Sequence, residues 1–344
     1  MREKGCIKRV VSFFEFKKSF KIGTIHAVAK HRAGRMRNTV SYLVAIYSGD
    51  PTYVRQEWAS PQQFNHMILA VRVSDKVQSA TVIPQTRLGP LMVFDPTDSN
   101  TPLGDLPGHE QESLALVLAG DAGELLRMPS TPPDANRLES KTEAILSGSG
   151  AVTAVVKDKA VGQAAAGFRR LLNRHSPQEF SQMVERGLAR RVNGAKVTKI
   201  EPVDDALTGK FELNVELTAE NYAQTMQKKL LMFTPSLGSS SQIPRLIAKT
   251  RKYPILLEST ALEKTVRFTL PEGFALDELP EPSQAEFPFG SFSSSWKMQE
   301  KQLLFTHSMR VRNSVIPASQ YLEVRKFFEQ ILAAEQSPVV LARQ

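Results

Sequence analysis

The stretch "QFNHMILAVRV", Gln63–Val73, is followed by "LMVFDPTDSNTPLGDLP", Leu91–Pro107. Each joins an apolar run of strand length to a polar residue at one end, His66 at the head of the first and Asp95 at the tail of the second. Paired as antiparallel neighbours, the two runs would set an imidazole and a carboxylate at one edge of a sheet. Such a pair is two thirds of a nucleophilic acyl-transfer site: the carboxylate holds the ring tautomer while the ring takes the nucleophile's proton. Taken singly, each residue also has an ordinary structural explanation, the histidine as a strand-edge residue and the aspartate as a turn former ahead of Pro96.

The surroundings of these two runs predict the sheet they need. "TVSYLVAIYSGD", Thr39–Asp50, is β-branched and aromatic and ends in a Gly-Asp turn, as a buried strand does. "SATVI", Ser79–Ile83, is a further short run, and "SLALVLAG" with "GELLRMP" reads as a hairpin turning on "AGDAG", Ala119–Gly123. Polar, Gly or Pro breakers separate the runs, so the expected arrangement is one sheet of antiparallel neighbours.

"PSTPPDANR", Pro129–Arg137, is a proline cluster between two patterned regions and marks the expected domain boundary. Beyond it, "SGSG" at 147–150 reads as the tip of a hairpin between "RLESKTEAIL" and "AVTAVV". "GQAAAGFRRLLNRH" and "SPQEFSQMVERGLARRV" predict two helices, the second with a complete start: Ser176 as cap, Pro177 in the first turn and Glu179 closing a capping box. Asn193-Gly194 supplies a left-handed stop. "FELNVELT" and "TVRFTL" then alternate apolar with polar, "SFSSSWKM" and "QLLFTHSMRVRN" continue a meander, and a terminal helix from Pro317 carries Tyr321, Val324, Phe328 and Ile331 on one stripe.

Charge narrows the function classes. The net charge is +9, and residues 1–37 alone hold eleven Lys/Arg against two acids, so the remainder balances at 33 of each. Nucleic-acid binding through a broad basic surface is therefore not expected, and no apolar run is long enough for a transmembrane segment. The start "MREKGCIKRVVSFFEFKK" has basic residues where a cleavage site would stand, so no secretory signal peptide is expected there. A single cysteine, Cys6, leaves no disulfide framework and no multi-cysteine zinc site. Asp105, His109 and Glu110 share no spacing with a zinc motif, so no metal and no cofactor is expected. "GDPTYVRQEW", ending at Trp58, and Asn65 beside His66 are candidates to line a substrate cleft.

The segments "SPQQFNHMILAV", "LMVFDPTDSNTPLGDLPGHEQ" and "SLALVLAGDAGELLRMP" closely resemble bacterial multi-domain members of the transglutaminase-like superfamily. "GFALDELPEP" and "SVIPASQYLEVRKFFEQIL" resemble the carboxy-terminal portion of the same proteins, so the resemblance runs from about Tyr42 to the end. It implies a papain-like Cys-His-Asp core flanked by β-sandwich domains of unknown function, with His66 as the triad histidine and Asp95 as the triad aspartate. The resulting fold class is α+β: a truncated transglutaminase-like antiparallel sheet followed by a β-sandwich-like domain with attached helices. The divisions are 1–37, an unassigned basic segment; 38–128, a partial core; 129–137, a linker; and 138–344, a β-rich domain with helices.

The nucleophile does not carry over. The family's cysteine opens a helix in a Gly-Asp-Cys segment, and that segment should fall at Lys21-Ile22-Gly23. Cys6, in "KGCIKR", has no matching neighbours. Either the chain is a triad-deficient relative, or residues 1–41 are translated out of frame or from a truncated gene; pattern loss, motif loss and charge surplus ending together favour the latter. The expected function is a fragment or degenerate member of this thiol acyl-transferase and peptidase superfamily, inactive without its nucleophile and acting on a protein or peptide if active. Intact relatives are expected to be exported or periplasmic. The alternative is a non-catalytic binding or scaffold protein working through the β-rich domain.

Overall fold

The computed structural model describes residues 40–344, apart from Ala59, Ser241, Gln242 and Arg245. The basic segment 1–37, Cys6 and Lys21–Gly23 lie outside the described residues. The chain divides into two compact units, Met1–Thr131 and Pro132–Gln344. Strand predominates over helix, which makes the whole a β-rich α+β chain.

The first unit holds a six-stranded sheet ordered β3-β4-β2-β1-β5-β6. Its strands are β1 (Ser41–Ile46), β2 (His66–Arg72), β3 (Val82–Ile83), β4 (Leu91–Phe94), β5 (Leu114–Leu118) and β6 (Glu124–Arg127). Every neighbouring pair is antiparallel, as the apolar runs and their breakers predict. A 3-10 turn, Gly120–Ala122, joins β5 to β6 within "AGDAG". Val44, Ile46, Ile68, Val93, Ala115 and Val117 form the main apolar cluster of this unit. Leu69, Val71 and Phe94, on the opposite phase of their strands, are buried too, which is why β2 and β4 read as continuous apolar runs.

In the second unit the segment after Pro132 is packed in place. A 3-10 turn, Pro133–Asn136, ends on a buried Asn136, whose amide donates to the Ser259 carbonyl at 3.2 Å and whose Oδ1 accepts from the Gln163 amide at 3.1 Å. The proline cluster therefore ends in structure that belongs to this unit, and it is not a loose linker over its whole length.

The sheet that follows has eight strands, ordered β16-β17-β18-β14-β7-β8-β10-β9. These are β7 (Arg137–Leu146), β8 (Val152–Val161), β9 (Ala195–Asp205), β10 (Lys210–Ala219), β14 (Thr260–Thr269), β16 (Ser283–Phe287), β17 (Gly290–Gln299) and β18 (Gln302–Val311). All contacts are antiparallel except β7 with β14, which run parallel. The inner face is covered by α1 (Gly162–Arg174), α2 (Pro177–Ala189) and α3 (Tyr321–Gln336), together with part of a second sheet. That sheet is ordered β11-β12-β20-β15, from β11 (Gln224–Met226), β12 (Leu230–Phe233), β15 (Phe274–Glu278) and β20 (Val339–Arg343). A two-stranded ladder of β13 (Ile255–Leu257) and β19 (Ser314–Ile316) completes the unit. The capping box of α2 forms as its sequence predicts, with the Ser176 hydroxyl accepting from the Glu179 amide and Glu179 returning to the Ser176 amide. β20 was not legible as a strand, because five residues at the chain end carry too short a pattern to separate from a tail.

The inner face of the large sheet is not uniformly apolar. Reading across adjacent strands, Ser294, His307, Lys264, Ser140 and Asp158 stand in register in one transverse row. All five are buried. On one side of the row lie Phe292, Met309 and Leu262, and on the other Phe305, Val266 and Val156, so the polar row divides the interior into two apolar clusters. Gly238 crosses above it at φ +82°, where a Cβ would stand 2.8 Å from the Thr142 hydroxyl and 2.9 Å from that of Ser140. Ser239 follows and donates its hydroxyl to Asp158. Glu335 of α3 reaches to 3.7 Å from the His307 ring.

Burial sets the charge states here. It lowers the Lys264 amine to about 8 and, with the Lys264 charge adding to it, lowers the His307 imidazole to about 3. His307 thus folds neutral, and the unfolded chain binds the extra proton between about 3 and 6.5, so this residue's contribution to stability is lost as pH falls through that window. The loss is up to about 5 kcal/mol for a shift of this size. We expect His307→Met, which keeps the volume without the titration, to unfold in urea at pH 4 with a clear stability advantage over the parent that shrinks above pH 7. An advantage independent of pH would show that His307 is not the titrating group.

Candidate functional site

His66 opens β2 and Asp95 follows β4, and the pairing of these strands, with Leu69 opposite Phe94, carries the two side chains to one sheet edge. His66 Nε2 lies 3.1 Å from Asp95 Oδ2. The other carboxylate oxygen, Oδ1, accepts the Thr97 amide at 2.8 Å and the Thr97 hydroxyl at 2.8 Å, an Asx turn that fixes the carboxylate plane. Burial alone would raise the Asp95 pKa, but the hydrogen bonds from His66 and from the Thr97 amide and hydroxyl outweigh it and hold the group below the usual carboxylate range. An ionised carboxylate only accepts, so the neutral His66 ring donates from Nε2 and keeps its basic lone pair on Nδ1. Among the described residues Nδ1 has no hydrogen-bond partner, and the His66 side chain is 29% exposed. A half-exposed imidazole with a free basic nitrogen and a buried carboxylate behind it is built to take a proton from a group in solvent or on a substrate.

A third side chain converges on the pair. Glu110 ends the 3-10 turn Gly108–Glu110, and its Oε1 lies 3.5 Å from His66 Nε2. It is fully buried, and neither carboxyl oxygen has a hydrogen-bond partner. Burial, then the neighbouring Asp95 and Asp98 carboxylates, push its pKa up to about 9. The turn is anchored by the Gly49 amide, which donates to the His109 carbonyl at 2.8 Å, and by buried Gln111, which bonds Leu106 O at 2.7 Å and the Thr131 amide at 2.9 Å.

The remaining sequence candidates fall out differently. Asn65 accepts the Ser48 amide at 2.7 Å and donates to the Ser48 carbonyl at 3.2 Å, so both ends of its amide are spent on closing the loop between β1 and β2. Trp58 is 52% exposed, with the Arg55 guanidinium 4.7 Å above its ring. Buried Gln63 straps this loop through Arg55 and Trp58 backbone atoms. Asp105 and His109 do not join Glu110: Asp105 accepts the amide of its neighbour Leu106 at 2.8 Å, and His109 is exposed. Glu110 was seen in the sequence only beside those two residues. The missed signal is its position in "LPGHEQ", a turn short enough to bury a side chain back toward the sheet edge.

Residues 228–341 match DUF3858, a domain of unknown function with a solved structure. Comparison with curated proteins finds no match. A crystal structure described as "a putative protease" from Parabacteroides distasonis ATCC 8503 aligns with 88% of this chain at 10% identity, with a TM-score of 0.46. The chain spans 40% of that protein's length. Among the described residues no helix is long and apolar enough to cross a membrane.

A buried carboxyl with no partner costs stability that an apolar side chain of the same length does not. Glu110→Met is expected to raise the urea unfolding free energy of the metal-free protein by about 1–3 kcal/mol. Loss of stability in this variant would show that the Glu110 carboxyl has a partner that holds the site together.

Proposed function

We propose that the first unit is the histidine–aspartate portion of a transglutaminase-like thiol acyl-transfer core. The observation that carries this reading is the 3.1 Å approach of His66 Nε2 to an Asp95 carboxylate held ionised. In an intact core of this kind a thiolate attacks a carboxamide or peptide carbonyl, displacing the amine and forming a thioester. His66 takes the thiol proton at Nδ1 and returns it to the leaving amine, while Asp95 keeps the ring in the Nε2–H tautomer. Water then gives hydrolysis, and a second amine gives cross-linking.

This chain lacks Gly-Asp-Cys where the family carries it, and its one cysteine is Cys6. The reading is therefore of a core without its thiol, inactive in acyl transfer. Loss of the nucleophile from a unit that works as a whole removes nearly all its chemistry.

The test is alkylation of Cys6 by iodoacetamide in the parent and in His66→Ala. Equal rates, with the pH dependence of a free thiol of pKa ~8.5, are expected. Rapid labelling near neutral pH that slows in His66→Ala would instead make Cys6 a working nucleophile and the chain an active enzyme.

A second reading, a binding protein working through the second unit, is favoured by one feature. A cavity of about 180 Å³ between α1, α2 and the large sheet is lined by Phe168, Phe180, Leu188 and Leu213, with Asp158 also in its wall. It has room for a group of benzene size. Benzene should then raise the melting temperature of the parent and leave that of Leu213→Trp, which fills the space, unmoved. No shift in the parent would remove the cavity from consideration.

A further inference from the structure

We propose that His66, Asp95 and Glu110 form a binding site for one divalent transition-metal ion of the zinc class, which sits where the His66–Asp95 hydrogen bond lies in the metal-free protein. Nothing in this inference depends on the acyl-transfer reading, although both use His66.

Three observations carry it. The donor atoms of the three side chains all lie within 4.8 Å of one another. Zinc bonds of about 2.0–2.1 Å at tetrahedral angles place neighbouring ligand atoms about 3.3 Å apart. The distances from His66 Nε2 to Asp95 Oδ2 and to Glu110 Oε1, 3.1 and 3.5 Å, bracket that value, so two edges of the coordination polyhedron are already in place.

The second observation is Glu110 itself. It is a fully buried carboxyl facing an imidazole and a carboxylate, and neither of its oxygens makes a hydrogen bond of normal geometry. Such a group calls for a missing partner, and the partner that suits two carboxylates and a neutral imidazole is a dication. The charges balance: two carboxylates supply −2 and the ring supplies a lone pair.

The third is the support behind the ligands. Thr97 pins Asp95 through its amide and hydroxyl to Oδ1, the hydroxyl also reaching Oδ2 at 3.0 Å, so the carboxylate is held with Oδ2 turned to His66. The turn that presents Glu110 is anchored by Gly49 and Gln111. Outer contacts of this kind orient the ligands of metal sites. Imidazole with carboxylate oxygens suits zinc and its neighbours in the first transition row better than the hard cations, which prefer oxygen alone. Three protein ligands leave a fourth tetrahedral position for water or an incoming donor.

Occupancy changes the histidine. A metal takes the Nε2 lone pair, so the proton moves to Nδ1, the opposite tautomer to that of the metal-free pair. Metal and general-base function are mutually exclusive at this ring.

The experiment uses the full chain stripped with EDTA and titrated with Zn²⁺ by calorimetry and with Co²⁺ by visible absorption. We expect one ion per chain, Co²⁺ bands of a four-coordinate site, and an upward shift in melting temperature with Zn²⁺. Thr97→Val should weaken binding about ten- to a hundredfold, and Glu110→Gln and His66→Ala by more than that. Urea transitions of the metal-free variants establish that each is folded. Glu110→Met, expected to be the more stable protein without metal, should not bind. Absence of one-to-one binding in the parent overturns the proposal, as does binding that survives in both Glu110→Gln and Glu110→Met. Either result leaves the Cys6 alkylation test, run in EDTA, free to decide the acyl-transfer reading.

Discussion

The antiparallel pairing of β2 with β4 is the constraint on which the first unit's chemistry depends. Leu69 faces Phe94 across the ladder, and from that register the head of one strand and the tail of the other meet at one edge. Strand side chains alternate faces, so a slip of one residue would send Asp95 to the face opposite His66 and bury the wrong set of side chains. The register is secured from both sides, because β2 also pairs with β1 along six residue pairs, and Val44, Ala45 and Ile46 of β1, Ile68–Val71 of β2 and all of β4 are buried. The site is thus held by rigid strands, with Thr97 and the Glu110 turn adding the final orientation.

The second unit poses a different problem and meets it with a polar seam. Ionisable groups buried across adjacent strands destabilise a core unless they find partners, and here Ser239 and Glu335 approach the row from the covering layer, the Ser239 amide donating to the Ser140 hydroxyl and its own hydroxyl to Asp158. The seam separates two apolar clusters that would otherwise merge, so each must pack against its own cover: α1, α2 and the four-stranded sheet on one side, α3 on the other. His307 folds neutral among Phe292 and Phe305, and it places this unit's stability under the control of pH.

Much of this was legible in the sequence because it rests on local rules. The capping box at Ser176 and Glu179, the alternation of Phe211, Leu213, Val215 and Leu217, and the stripe on the last helix all follow from the chain's own period. The His66–Asp95 pair was legible because both residues sit at the ends of strongly apolar runs. The polar seam left only a phase anomaly. Asp158, Lys264 and His307 each occupy a position whose neighbours two residues away are apolar and inward, such as Val156 and Ala160 around Asp158. No single strand reveals that these anomalies line up, since the row needs the registers of five strands, one of them joined by the sheet's parallel contact. Glu110 was hidden for a related reason: its partners come from β2 and from the residue after β4, and its sequence neighbours Asp105 and His109 point the reading elsewhere.

The account turns on an ionised Asp95 holding His66 with the proton on Nε2. Nitrogen-15 NMR of the imidazole in the metal-free protein measures that directly. The account predicts a single Nε2–H tautomer in the neutral ring that gives way to an exchanging mixture in Asp95→Ala. A ring protonated on Nδ1, or one already exchanging between tautomers in the parent, would contradict it.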